Sequence, residues 1–300
     1  MSAEDEFSLE ASRVGASFSR AARDYDAAAF LQKEVSDRLL ERLELTTVAP
    51  VRVLDVGCGT GRPTRQLLQL YPKAEVIGAD LAPGMIAVAE SHQPPFYKWW
   101  GKKARYIQAE ASRIPLEDAS CDLVYASLLL QWCEDLDKTL LEWRRLLKPH
   151  GLLLFSTLGP DTLKELRAAW SAVDGYVHVN RFLDMHDIGD AIIRAGFVEP
   201  VMDVEHMTLT YGDAQGLMRD LKSIGAHNVT AGRRRGLMGR GRLQAFADAY
   251  EKFRREDRLP ATYEVVYGTA WAPKFMPVAA LEGRYDDVQG RTSAAGGRKP

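Results

Sequence analysis

The chain has 300 residues, of which 46% are hydrophobic, so it is long enough to bury a sizeable core. Its 39 basic and 41 acidic side chains nearly cancel, which argues against a dedicated nucleic-acid-binding protein. The sequence has no apolar run of ~18 residues and no basic-then-apolar leader, so it predicts neither a membrane span nor a secretory signal. Three cysteines without C-x-x-C spacing suit a cytoplasmic location and predict no metal site.

The N-terminal part of the chain divides into a polar segment and a helical segment. Residues 1–17 are polar, and we expect them to be mobile. Residues 18–45 are predicted to form a helical cover, with an apolar stripe made by Phe30, Val35, Leu39, Leu40 and Leu43. Tyr25 lies before this stripe, next to Asp24. Its ring is either an ordinary packing group or part of a cover folded over a ligand.

A short run of β-forming residues passes directly into a glycine loop and a helix. Residues 51–56 predict a buried strand, and Gly57, Gly59 and Gly61 follow it at alternate positions. Pro63 is typical of a first helical turn, where its missing N–H costs nothing. The corner predicts a nucleotide site, because glycines let a ligand approach the backbone and the helix N-terminus offers free N–H groups.

The spacing of the loop argues against a dinucleotide. The G-x-G-x-x-G fingerprint needs a glycine where Arg62 stands. Asp55 precedes the first glycine by two positions, where a carboxylate would repel a pyrophosphate but could bind an ammonium group. Asp80 ends the next apolar run, at roughly the 20-residue separation at which a carboxylate meets a ribose diol. The pattern resembles the S-adenosylmethionine-dependent methyltransferases of Rossmann-like fold, although a glycine turn in another α/β protein would look similar.

The later strands place further residues at the same edge of the sheet. Strands three to five are predicted at residues 105–110, 121–128 and 151–158, and the last two at 197–211 and 262–272, with helices between 212 and 258. Ligands of open α/β sheets bind at the carboxyl ends of the strands. The predicted cofactor site therefore comprises Asp55, Gly57, Gly59, Gly61, Asp80, Leu81, Glu110, Ala111, Ser127 and Leu128.

The predicted fold class is α/β, with a Rossmann-like seven-stranded methyltransferase sheet, flanking helices and a helical cap over the active site. The methyltransferase domain spans residues 18–281. It contains a cofactor-binding core at 46–158, a cap insertion at 159–196, and C-terminal strands with a helical insertion at 197–281. Residues 282–300 are predicted to be a disordered tail. Within the cap, His178 and Arg181 either hold a substrate acid or are ordinary surface residues.

Several stretches are similar to the malonyl-acyl-carrier-protein O-methyltransferases of biotin synthesis. The glycine loop LDVGCGTG is shared by a large superfamily, whereas FSRAA…Y, QWC, HVNRF and LKSIGAHN are more specific. The resemblance spans residues 18–271. It implies methyl transfer from S-adenosylmethionine to the free carboxylate of malonyl carrier protein, with Asp24, Tyr25, His178 and Arg181 acting at the malonyl group.

Two alternatives and one surface feature stay open. The stretches DTLKELR, RAGF and PATYEVVYGTAW also look like mitochondrial complex I assembly factors, some of which modify a protein arginine; a non-catalytic cofactor-binding assembly protein is a further alternative. An arginine cluster is either a solvated loop or a docking patch for an acidic carrier protein. The cluster comprises Arg233, Arg234, Arg235, Arg240 and Arg242. We expect no nucleic-acid or membrane partner.

Overall fold

Seven strands form one sheet in a computed structural model, which describes residues 11–93, 103–225 and 239–274. The strands are β1 Arg52–Val56, β2 Glu75–Asp80, β3 Arg105–Gln108, β4 Cys121–Ala126, β5 Leu147–Leu158, β6 Val198–Tyr211 and β7 Leu259–Trp271. Their order is β3-β2-β1-β4-β5-β7-β6. Strands β1 to β5 are parallel, and β7 runs antiparallel between β5 and β6. The predicted fold class is confirmed.

Ten α-helices lie within the described ranges. They are α1 Ala11–Ala21, α2 Tyr25–Ala28, α3 Phe30–Glu41, α4 Arg62–Leu70, α5 Pro83–Ser91, α6 Leu136–Leu146, α7 Lys164–Ser171, α8 Met185–Arg194, α9 Ala214–Ser223 and α10 Arg240–Glu251. None of them is long and apolar enough to cross a bilayer.

Both faces of the sheet are buried, as expected for parallel strands joined by helices. On one face, Val53 of β1 belongs to a core that includes Val35 and Leu39 of α3. On the other face, Leu54 belongs to a second core that includes Trp143 of α6. Successive residues of a strand point to opposite faces, so the continuous apolar run of β1 serves both cores at once.

The N-terminal cover differs from its prediction in two respects. Residues 11–17 belong to α1, so the helical segment begins before residue 18; Val14 is buried, and the Ser17 hydroxyl donates a hydrogen bond to the Gly225 carbonyl at 3.1 Å. The cover is also three helices, and Phe30 is 64% exposed. Leu31, Val35 and Leu39 form the buried face of α3, and a residue one position earlier is turned about 100° away from that face.

The helical cap predicted at residues 159–196 contains α7 and α8, and the C-terminal insertion contains α9 and α10. Helix α7 packs against α10, so the two insertions meet over the carboxyl edge of the sheet. Residues 1–10 and the expected disordered tail at 282–300 lie outside the described ranges. The domain limits themselves stay predictions.

Candidate active site

The glycine loop is held in a left-handed conformation at three places. Gly57, Gly59 and Gly61 have φ angles of +73°, +54° and +76°, which favour glycine. A Cβ atom on Gly59 would have no atom within 4 Å, so this position opens into free space. A Cβ on Gly61 would lie 2.9 Å from the Ala89 Cβ and would also clash with the Tyr106 hydroxyl. Gly59 is therefore available for a ligand, whereas Gly61 is needed for packing.

Asp80 ties the glycine loop to the end of β2. One carboxylate oxygen accepts a hydrogen bond from the Gly59 N–H at 2.9 Å, and the other accepts one from the Ala82 N–H at 2.8 Å. Burial raises the pKa of Asp80, and the two N–H donors oppose that shift. Asp80 and the following Leu81 both line a cavity beside the loop.

Asp55 lies beneath this loop and does not line the cavity. Its side chain is 1% exposed and accepts a hydrogen bond from the Thr64 hydroxyl at 2.5 Å. Burial raises the pKa of Asp55 to about 7; the Thr64 hydrogen bond lowers it, and the nearby Asp80 charge adds to the rise. The Asp55 carboxylate thus fastens β1 to the first turn of α4, and its direct contact with a ligand stays a prediction.

The ends of β3 and β4 bring four more predicted residues to the cavity. Glu110, Ala111, Ser127 and Leu128 all line it. The Glu110 carboxylate is exposed and accepts a hydrogen bond from the Ser112 hydroxyl at 2.9 Å. Leu128 has a φ angle of +49°, and its N–H donates to the Ser156 carbonyl at 2.9 Å. A positive φ angle is uncommon for a residue other than glycine, and here it occurs two residues after the end of β4.

The N-terminal cover closes one side of the cavity with aromatic rings. The Phe18 ring packs edge-on against Trp132, with centroids 5.1 Å apart, and Tyr25 lies 6.4 Å from Phe18. Tyr25 lines the cavity as predicted, but Asp24 is exposed and does not. Helix α2 begins at Tyr25, so the inward-facing acid is Asp26, which accepts a hydrogen bond from the Thr60 hydroxyl at 2.7 Å.

The cap loop contributes His178 but not Arg181. The His178 ring stacks on Trp170 with centroids 3.9 Å apart, and its Nε2 lies 2.7 Å from an Asp174 carboxylate oxygen. Trp170 in turn stacks on Phe246 of α10 at 4.2 Å. His178 lines the cavity, whereas Arg181 is exposed and absent from the wall. The structure therefore does not bring Arg181 to the cavity beside His178, and the joint action of the two residues on a substrate stays a prediction.

One cavity of about 1590 Å³ joins all these surfaces. At its glycine-loop end it meets Gly57, Gly59 and Asp80. At its cap end it is mostly apolar, with a wall that includes Leu163, Leu166, Trp170, Met218, Leu243 and Phe246. Typical small-molecule pockets enclose roughly 300–1,000 Å³. The cavity thus has room for a second ligand beside the one at the glycine loop.

Sequence reasoning missed several residues of the wall. Asp26 follows Tyr25 by one position. The position at which α2 begins determines whether Asp24 or Asp26 faces the cavity. Asn180 lies inside the HVNRF stretch, where the charges of His178 and Arg181 are the stronger sequence signal for a site. Helices α9 and α10 were expected, but their contribution to the wall depends on how they pack against α7.

The residues at the glycine-loop end fit S-adenosylmethionine. Gly59 leaves space for a ligand at the backbone, and the half-buried carboxylate of Asp80 can accept hydrogen bonds from ribose hydroxyls. Asp26 and Asp80 also supply negative charge to a cavity that would receive a sulfonium and an ammonium group.

The sheet order and the glycine corner define a class of enzyme, the S-adenosylmethionine-dependent methyltransferases of Rossmann-like fold. The methyltransferase-domain family matches residues 54–155. The chain belongs to the malonyl-[acyl-carrier protein] O-methyltransferase family. It is 53% identical over 271 residues to the member from Methylovorus sp. (strain MP688), covering 90% of this chain and 92% of that relative. It is 50% identical over 286 residues to the member from Laribacter hongkongensis, covering 94% and 96%.

Solved structures agree with the fold. The YcgJ protein of Bacillus subtilis superposes with a TM-score of 0.57 over 79% of this chain and 98% of that protein. Its sequence identity is 15%, so the similarity concerns architecture alone.

Proposed function

We propose that this protein transfers a methyl group from S-adenosylmethionine to the free carboxylate of malonyl-[acyl-carrier protein], giving the malonyl methyl ester that starts pimeloyl synthesis for biotin. The observation that carries the proposal is the single cavity of about 1590 Å³, with a polar glycine-loop end and an apolar cap end. The relatives' names favour this substrate over a protein arginine.

The cofactor is assigned to the glycine-loop end of the cavity. Gly57 and Gly59 offer backbone, Asp80 offers a carboxylate to the ribose, and Asp55 supports them from below through Thr64. The adenine is assigned to the wall formed by Leu81, Glu110, Ala111, Ser127 and Leu128. When bound, S-adenosylmethionine supplies an electrophilic methyl group on its sulfonium.

The malonyl carboxylate is already ionised at neutral pH, so no general base is required. Tyr25 supports this view. Burial, and then the negative charges of Asp80 and Asp26, raise the pKa of the Tyr25 phenol, so the phenol stays neutral. A neutral phenol can donate a hydrogen bond to the malonyl carboxylate, but it does not act as a general base. His178, fixed by Asp174 and Trp170, forms the adjoining wall at the cap end.

Orientation and exclusion of water are then the main sources of rate. Holding two reactants in line contributes roughly 7–11 kcal/mol in favourable cases. The rings of Phe18, Tyr25 and Trp132 cover one side of the cavity and shield the site where opposite charges cancel. The ester product carries no charge, so any hydrogen bond that it accepts from Tyr25 is weaker than that of the carboxylate, which favours release.

The proposal predicts selective labelling of an acidic acyl group. With radiolabelled S-adenosylmethionine, we expect methyl incorporation into malonyl carrier protein and none into acetyl carrier protein, which has no free carboxylate. Succinyl carrier protein tests the length of the acyl group. Labelling of acetyl and malonyl carriers alike, or labelling of a protein arginine alone, would contradict the proposal.

A matched pair of variants tests whether the Tyr25 hydroxyl contributes to the reaction. Tyr25→Phe keeps the ring but removes the donor, and we expect kcat/KM for malonyl carrier protein to fall about 10- to 100-fold, as for a lost hydrogen bond to a charged group. Tyr176→Phe makes the same change at an exposed residue and should leave the rate unchanged.

Docking of the carrier protein is assigned to the basic start of α10. Arg240 lines the mouth of the cavity, where Arg219 and Lys222 of α9 also lie. The Arg242 guanidinium is 4.0 Å from the Asp174 carboxylate that holds His178. Arg233, Arg234 and Arg235 lie outside the described residues. A carrier protein is acidic, and such an arrangement steers it while its phosphopantetheine arm enters the cavity.

Removing these charges should slow association and leave the chemistry intact. The double variant Arg219→Ser/Arg240→Ser, which spares the Arg242 contact with Asp174, should raise KM for malonyl carrier protein severalfold and flatten its dependence on salt. The control Lys252→Ser/Arg255→Ser removes the same charge from exposed positions just beyond the other end of α10 and should have little effect. Equal losses on the carrier and on a small malonyl thioester would point instead to a damaged active site.

A further inference from the structure

One buried amide in the cavity wall has no hydrogen-bond partner. Asn180 is 7% exposed and lies in the loop between α7 and α8. Its side-chain oxygen is buried and receives no hydrogen bond from any residue in the described ranges. The residue lines the cap end of the cavity, between His178 and Phe182 in the chain.

A buried polar atom without a partner is unfavourable, because it loses its water and gains nothing in return. A hydrophobic side chain of similar size would suit this otherwise apolar wall better. The free-energy cost of the unpaired oxygen is explained if a ligand provides the missing partner. The buried amide then binds that ligand and selects it over ligands that lack a donor.

The loop holds Asn180 firmly in place. Two residues before it, the His178 ring stacks on Trp170 and is hydrogen-bonded to the Asp174 carboxylate. One residue before it, Val179 is buried in the core that also contains Trp170 and Phe246. Side chains fixed in this way bind without a large loss of conformational freedom.

The chemistry of the unpaired atom narrows the choice of ligand group. An oxygen acceptor needs an N–H or O–H donor, and an ionised malonyl thioester has neither. The first donor along a carrier-bound substrate is the amide N–H of the cysteamine unit, which follows the thioester sulfur by two methylene groups. We propose that Asn180 recognises this amide of the phosphopantetheine arm and thereby positions the malonyl group. The inference rests on the proposed function and deepens it.

Two thioesters that differ in one atom test the inference without any mutation. One is S-malonyl-N-acetylcysteamine, which has the amide N–H. The other is its ester analogue, in which an oxygen replaces that nitrogen. The protein should prefer the amide by about 2- to 12-fold in kcat/KM, as for one net hydrogen bond. Equal kcat/KM values would overturn the assignment of Asn180 and leave the proposed function standing. Failure to methylate either thioester or malonyl carrier protein would overturn the proposed function, and this inference with it.

Variants of Asn180 assign the preference to this residue. Asn180→Leu should raise KM for the amide substrate, abolish the preference over the ester, and leave the melting temperature equal to or above that of the wild type. Asn180→Asp keeps an acceptor at the same position and should retain part of the preference. Tyr176→Leu removes an exposed polar side chain from the same loop and should change neither quantity. If Asn180→Leu keeps the preference, or loses it only together with cofactor binding, the inference is wrong.

Discussion

Replacing Asp80 by alanine is expected to weaken S-adenosylmethionine binding about 10- to 150-fold, which corresponds to roughly 1.5–3 kcal/mol for hydrogen bonds to a charged group. Two effects add. The proposed ribose contact is lost, and the Gly59 and Ala82 N–H groups lose their acceptor, so the glycine loop is no longer fastened to β2. Titration calorimetry measures the first effect and thermal unfolding the second.

Glu110→Ala separates these two effects. Glu110 is exposed and bonded to Ser112, so its removal should weaken cofactor binding without changing the melting temperature. Asp80→Ala should lower both. A folded Asp80→Ala protein with the wild-type dissociation constant would remove Asp80 from the cofactor site.

The sheet could be predicted from the sequence because its signals are local. Short apolar runs bounded by glycine and proline mark buried strands, and the positive φ angles of Gly57, Gly59 and Gly61 follow from the spacing of the loop. The strand order follows from the family resemblance, which implies the whole seven-stranded arrangement. Residues expected at strand ends, such as Asp80 and Ser127, line the cavity, and their contact with the cofactor stays a prediction.

The cap and the cover could be predicted less well, because their side-chain directions depend on tertiary packing. Asp24 and Asp26 are the same residue type on either side of Tyr25, so the sequence does not distinguish them. Helix α2 begins at Tyr25, and Asp26 is the aspartate that faces the cavity. Arg181 has the charge expected of a carboxylate-binding residue, yet Asn180 beside it is the buried residue in the wall. A charged residue in a loop is a good candidate for a binding site, but its residue type does not predict whether its side chain is buried.

The free energy of unfolding should depend on pH through Asp55. Its pKa is about 7 in the folded protein because the carboxyl is buried, against about 3.9 in an unfolded chain. The folded state therefore binds the proton more tightly. Stability should fall as pH rises from about 4 to about 7 and stay level above that range, with a total loss of up to roughly 4 kcal/mol.

Asp55→Asn removes this titration while keeping a polar group next to Thr64. In urea unfolding, the free energy of unfolding of the variant minus that of the wild type should increase by roughly 2–4 kcal/mol between pH 4.5 and pH 8. Asp122→Asn is a control of opposite sign. Burial raises the Asp122 pKa, but hydrogen bonds from Lys148 and the Arg52 and Val51 N–H groups outweigh it, so the pKa is lowered and the control should lose stability above about pH 4. Parallel pH curves for wild type and Asp55→Asn would show that the Asp55 carboxyl is not held protonated by the fold.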